Sequence, residues 1–129
     1  MRLLILFFTI ICLVTGCYRP GGGGTAHHPP DGISNNQPTE LKLTFSVWGA
    51  GSGSLDKRYT KVICLYRINE SGNHKRLTGT VVSADEKHME MRFIIPPLKL
   101  NEGDTVDYYF EMLFDGHKNT RQGEKLRRK

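Results

Sequence analysis

The sequence predicts an all-β protein: a single small antiparallel β-sandwich of six to seven strands over residues 40–122, after a disordered tether and before a short basic tail. Three observations lead there. From Leu41 to Met112 apolar residues recur mainly at every second position, the period of a half-buried strand. Gly, Pro, Asn and Asp interrupt that alternation about every 8–12 residues, the turn spacing of a sandwich. After residue 40, no apolar stripe at three-and-four spacing lasts three helical turns.

The elements follow in order. Leu41, Leu43, Phe45 and Val47 alternate with Lys42, Thr44 and Ser46 in a first strand, and Gly49 to Ser54 form a flexible loop. A second strand covers Tyr59 to Ile68 and is apolar on both faces from Val62 to Tyr66, as in a central strand. Asn69 to Asn73 read as a hairpin loop, with Gly72 free to take positive φ. The third strand spans His74 to Val82, and Ser83 to Glu86 turn the chain. In the fourth, Met89, Met91, Phe93 and Ile95 oppose His88, Glu90 and Arg92; Pro96-Pro97 ends it, because proline cannot donate to a ladder. Asn101 to Asp104 lead into a fifth strand with Val106, Tyr108, Phe110 and Met112 inward and Asp107, Tyr109 and Glu111 outward. Asp115-Gly116 is a two-residue hairpin signal, and a last short strand runs from His117 to about Gln122.

The N-terminus is of another kind. Leu3 to Val14 contain Thr9 as their only polar residue and stand behind Arg2. This is the apolar region of a signal peptide, short of the roughly 20 residues of a spanning helix. Val14-Thr15-Gly16-Cys17 then resembles the lipobox of bacterial lipoproteins. The resemblance implies export, removal of residues 1–16 and acylation of Cys17. Two or three acyl chains, at about 0.8 kcal/mol per buried methylene, would make the attachment effectively permanent. In a Gram-negative host, Tyr18 after the cysteine implies the outer membrane, facing the periplasm.

Residues 17–39 hold Gly21 to Gly24, Pro29-Pro30 and Asn35-Asn36, with Ile33 as the one larger aliphatic residue. That composition predicts a disordered linker, spanning about 26 Å as a coil and about 70 Å extended. His27 and His28 read as polar linker residues. Cys12 lies in the removable segment and Cys17 is consumed by lipid, so Cys64 is the one remaining thiol. Within Val62 to Tyr66 it reads as a small buried apolar residue.

The net charge of +5 is concentrated at the C-terminus, where Lys118, Arg121, Lys125, Arg127, Arg128 and Lys129 face Glu124 alone. Residues 123–129 therefore read as a solvated basic tail able to contact anionic lipid, polysaccharide or a partner protein, with nucleic acid excluded by export. The five histidines show no metal-ligand spacing, the glycine-rich loop lacks a Gly-Lys-Ser/Thr ending, and no nucleophile-base order stands out. No enzyme activity, metal or cofactor is expected. Exposed carboxylates such as Asp104, Asp107 and Glu111 read as solvated. Trp48 and Tyr109, both outward, are the candidate binding aromatics, able to anchor a protein or stack on sugars.

Leu65-Tyr66-Arg67-Ile68, Ile94-Ile95-Pro96-Pro97 and Gly103 to Glu111 with Asp115-Gly116 resemble the immunoglobulin-like or fibronectin type III-like modules of bacterial surface proteins. Cys17, the Pro/Gly tether, Leu41 to Phe45 and Val62 to Ile68 also resemble the outer-membrane lipoprotein of type VI secretion systems. These resemblances imply a non-enzymatic adaptor that binds another envelope or secretion-system protein. The alternative is a glycan- or peptidoglycan-binding module using Trp48 and Tyr109.

Overall fold

The computed structural model describes residues 22–49 and 53–129; the signal segment, Cys17 and the first residues of the tether lie outside these ranges. Among the described residues, eight strands form two four-stranded antiparallel sheets. The first sheet orders β1 (Gly22–His28), β2 (Thr39–Trp48), β6 (His88–Ile95) and β5 (Thr80–Ala84) as β1-β2-β6-β5. The second orders β4 (Lys75–Thr78), β3 (Tyr59–Ile68), β7 (Thr105–Phe114) and β8 (His117–Arg127) as β4-β3-β7-β8. In immunoglobulin lettering this is A-B-E-D against C′-C-F-G, the strand order of that sandwich topology with a C′ strand. A single helical turn, α1 (Leu55–Arg58), precedes β3.

The inward residues expected of β2, β6 and β7 build the core with alternate residues of β3. Leu41, Leu43, Phe45 and Val47 of β2 and Met89, Met91, Phe93 and Ile95 of β6 meet Val62, Cys64 and Tyr66 of β3 and Val106, Tyr108, Phe110 and Met112 of β7. Phe93 packs on Phe110 across the two sheets at 5.2 Å between ring centroids. Cys64 is wholly buried and free, and burial pushes its thiol up to about 12.

The expected third strand is two strands. Residues 75–78 pair with β3 and residues 80–84 with β6, so the chain crosses from one sheet to the other at Gly79. A Cβ there would lie 2.4 Å from a ring carbon of Phe93, which leaves glycine as the residue that fits the crossing.

The tether is structured from Gly22 onward. β1 pairs with β2 from Gly22↔Trp48 to His28↔Lys42, and Ile33 is 1% exposed in the core. The tail is ordered as well. β8 continues to Arg127, Leu126 is 4% exposed opposite Val106, and Ile33 bridges Arg128 in parallel. The Ile33 N–H donates to the Arg127 carbonyl at 2.9 Å, and the Lys129 N–H donates to the Ile33 carbonyl at 2.8 Å. The two segments read from composition as disordered thus close on each other. A bulge in β8, opposite the step from Asp107 to Tyr109, shifts the alternation and brings Leu126 inward. Gly123 sits in that bulge against the Tyr108 ring, 2.3 Å from where its Cβ would stand.

Candidate functional site

Alternation along the strands gives each sheet an outer face, and the two faces differ in charge. On the first sheet, the charged strand residues are Glu40, Lys42, Glu90 and Arg92. Register sets Lys42 directly opposite Arg92, so each cation turns to a diagonal acid. Lys42 Nζ lies 3.1 Å from Glu90 Oε1, and Arg92 Nε lies 3.0 Å from Glu40 Oε1. All four charges are paired. Beside them Gly24, Ala26, Thr44 and Ser46 line a shallow recess of about 380 Å³, with His88 and Glu90 at its side.

The outer face of the second sheet carries an excess of cations. Lys61 and Arg67 of β3, Arg76 of β4, and Lys118, Lys125 and Arg127 of β8 face outward in register with Asp107 and Glu111 of β7. Arg67 Nε pairs with Asp107 at 3.1 Å, and Lys125 pairs with Glu70 of the β3–β4 loop, holding the Glu70 carboxyl below its usual range. Among the described residues, Lys61, Arg76, Lys118 and Arg127 make no ion pair. In their midst lie half-buried Ile63, Leu65 and Tyr109, with His74 edge-on to the Tyr109 ring at 5.0 Å.

The aromatics proposed from sequence therefore sit apart. Trp48 ends β2 on the outer side of the first sheet and is 59% exposed, whereas Tyr109 is at the centre of the second. They form no common stacking platform. Lys125 and Arg127 belong to the basic face rather than to a free tail. Arg128 and Lys129 lie beyond it, fastened by backbone bonds to Asp104 and Ile33. Lys61 and Arg76 escape sequence reading, and Lys118 is read only as part of the basic C-terminus, because only the register of four strands sets all three on the face of Tyr109.

Three further carboxylates hold loops and turns in place. Asp104 accepts from Asn69 Nδ2 at 3.0 Å and from the Asn101 N–H at 2.8 Å, bonds that lower its pKa. Asp115 takes a bidentate bond from Arg58, and Asp85 accepts the Lys87 and His88 N–H groups.

His27 also departs from its expected role as a plain linker residue. Its Nδ1 donates to the Lys42 carbonyl at 2.9 Å, and its Nε2 accepts from the Tyr108 hydroxyl, joining β1 to the opposite sheet. This arrangement uses the neutral imidazole. Burial lowers the His27 pKa, more than the Lys42 bond raises it, and Arg121 adds repulsion.

Among the described residues no three His, Cys, Asp or Glu side chains group to hold a metal ion. No protein-family model matches the chain, and no curated protein matches its sequence.

Proposed function

We propose that the chain is a lipid-anchored envelope protein whose sandwich is a non-enzymatic adaptor, and that it binds an acidic partner protein through the outer face of its second sheet. One observation carries this reading: the charges of the first sheet's face are paired, while the second leaves Lys61, Arg76, Lys118 and Arg127 unpaired around Tyr109. An apolar centre ringed by cations is the composition of a protein interface, in which Tyr and Arg anchor and the charged rim steers association. Membrane attachment follows from the lipobox-like Val14 to Cys17, with the partner another protein of the envelope or of a secretion assembly.

The test has two arms. Lipid labelling should mark the wild-type chain and not a Cys17→Ser variant, which should accumulate as precursor. An acidic envelope protein should co-purify with wild type, release with salt, and be lost from Arg76→Glu/Lys118→Glu. Retention by that variant with unchanged salt dependence would refute the basic face as the binding surface.

A further inference from the structure

We infer that the sandwich stands on the bilayer by the end where β1 begins, with the Trp48 indole in the interfacial layer of the membrane that holds the anchor. The inference rests on acylation of Cys17 and extends it to an orientation. With β1 starting at Gly22, the stretch available as a tether is far shorter than composition implies. Cys17 to Gly22 is five Cα steps, at most about 18 Å. The end of the sandwich nearest Gly22 is therefore held within a short reach of the lipid. The residue paired with Gly22 is Trp48, the most exposed large apolar side chain among the described residues.

That end is also built as a firm base. The Leu55 N–H donates to the Asp85 carbonyl at 2.9 Å, and the Val47 N–H to the Lys87 carbonyl at 2.9 Å. The Asp115 N–H donates to the Arg58 carbonyl at 3.0 Å, reinforced by the Arg58–Asp115 ion pair. The exposed charges of α1 and the β5–β6 turn, Lys57 and Lys87 against Asp56, Asp85 and Glu86, hold no excess of cations. The contact is thus led by the indole, whose amphipathic ring suits the interface, and not by attraction to anionic lipid. The opposite end, with Arg127, Arg128 and Lys129, stands about 30 Å away along β2 and faces the compartment.

Trp48 is the only tryptophan in the chain and so reports on itself. The acylated full-length protein would be reconstituted in phosphatidylcholine vesicles with and without brominated acyl chains, alongside a Trp48→Phe/Glu102→Trp variant that moves the reporter to the far end. The expected result is blue-shifted Trp48 emission, quenched at least twofold by brominated lipid and insensitive to salt, with Trp at position 102 unquenched. Water-like, unquenched Trp48 emission from an acylated chain overturns the orientation alone, as does equal quenching at position 102. Mass spectrometry of the same sample separates the two claims, because an unmodified Cys17 overturns the anchor and the orientation together.

Discussion

The two outer faces are built on one core and by the same alternation, yet they end in opposite electrostatic states. On the first sheet, Lys42 and Arg92 stand opposite each other, and each is neutralised by a diagonal acid. On the second, β8 brings Lys118, Lys125 and Arg127 beside β7, whose outward acids are Asp107 and Glu111 alone. Half of that face's outward cations come from this one edge strand and the rest from β3 and β4, so strand composition alone leaves one face of the sandwich paired and the other available. Charges paired within a sheet leave no field to steer a partner, whereas unpaired ones do.

The sharpest way to break the comparison is to remove the end of the edge strand that carries Lys125 and Arg127. Cutting the chain after Gln122 deletes Leu126, which covers Val106, and the backbone bonds that join Arg127 and Lys129 to Ile33. Leu126→Ala alone should cost about 2–5 kcal/mol in equilibrium unfolding, and the truncation should cost more. A truncated protein that melts like wild type would mean that residues 123–129 are not part of the sheet.

Next in size is the joint between the two faces. Gly79→Ala forces a methyl against the Phe93 ring where the chain crosses from β4 to β5, and should cost about 1–3 kcal/mol. An unchanged denaturation midpoint would rule out the sheet switch at Gly79.

The tie between the sheets at His27 should respond to pH. Its folded-state pKa is lowered by burial from an ordinary value of 6.5, so the folded protein favours the neutral ring. Its contribution is present above that ordinary value and is lost as pH falls through the lower folded value. Melting at pH 8 and pH 5 should therefore show a larger acid loss in wild type than in His27→Gln, which keeps a donor and an acceptor. Arg121, His28 and Glu124 surround the ring and are the same in both proteins, so equal losses would show that folding does not lower the His27 pKa.

The smallest effect belongs to the inert face. Lys42→Ala removes an exposed diagonal pair, and its measured cost should stay below about 1 kcal/mol with no change in partner binding.

Much of this architecture is legible in the chain. The inward residues of β2, β6 and β7 follow from alternation alone, because each strand sets one face against the core. Burial of Cys64 follows from its place in the continuous apolar run Val62 to Tyr66 of β3. Three features are not legible, each for a local reason. β1 is held by ladder bonds and His27 rather than by an apolar stripe, so Gly22 to Ala26 have the composition of a linker. The bulge at Gly123 puts β8 out of phase and disguises Leu126 as the one apolar residue of a tail. Gly79 reads as an interior strand residue until Phe93 is seen beneath it.

The candidate surface was legible only in part. Clustering drew attention to Lys125 and Arg127, and outward phase to Tyr109, but their neighbours on β3 and β4 lie more than thirty residues away in the chain. Cross-strand register is long-range information that periodicity does not carry.

The most direct test of the basic face is site-specific photocrosslinking in living cells, with a benzophenone amino acid placed at Tyr109 in one strain and at Thr44 in another. The two positions have the same outward phase on opposite sheets. A defined protein adduct should form from position 109, disappear when Lys61→Glu and Arg76→Glu are added, and be missing from position 44. Adducts from position 44 alone, or equal adducts from both positions, would contradict the assignment of binding to the second sheet.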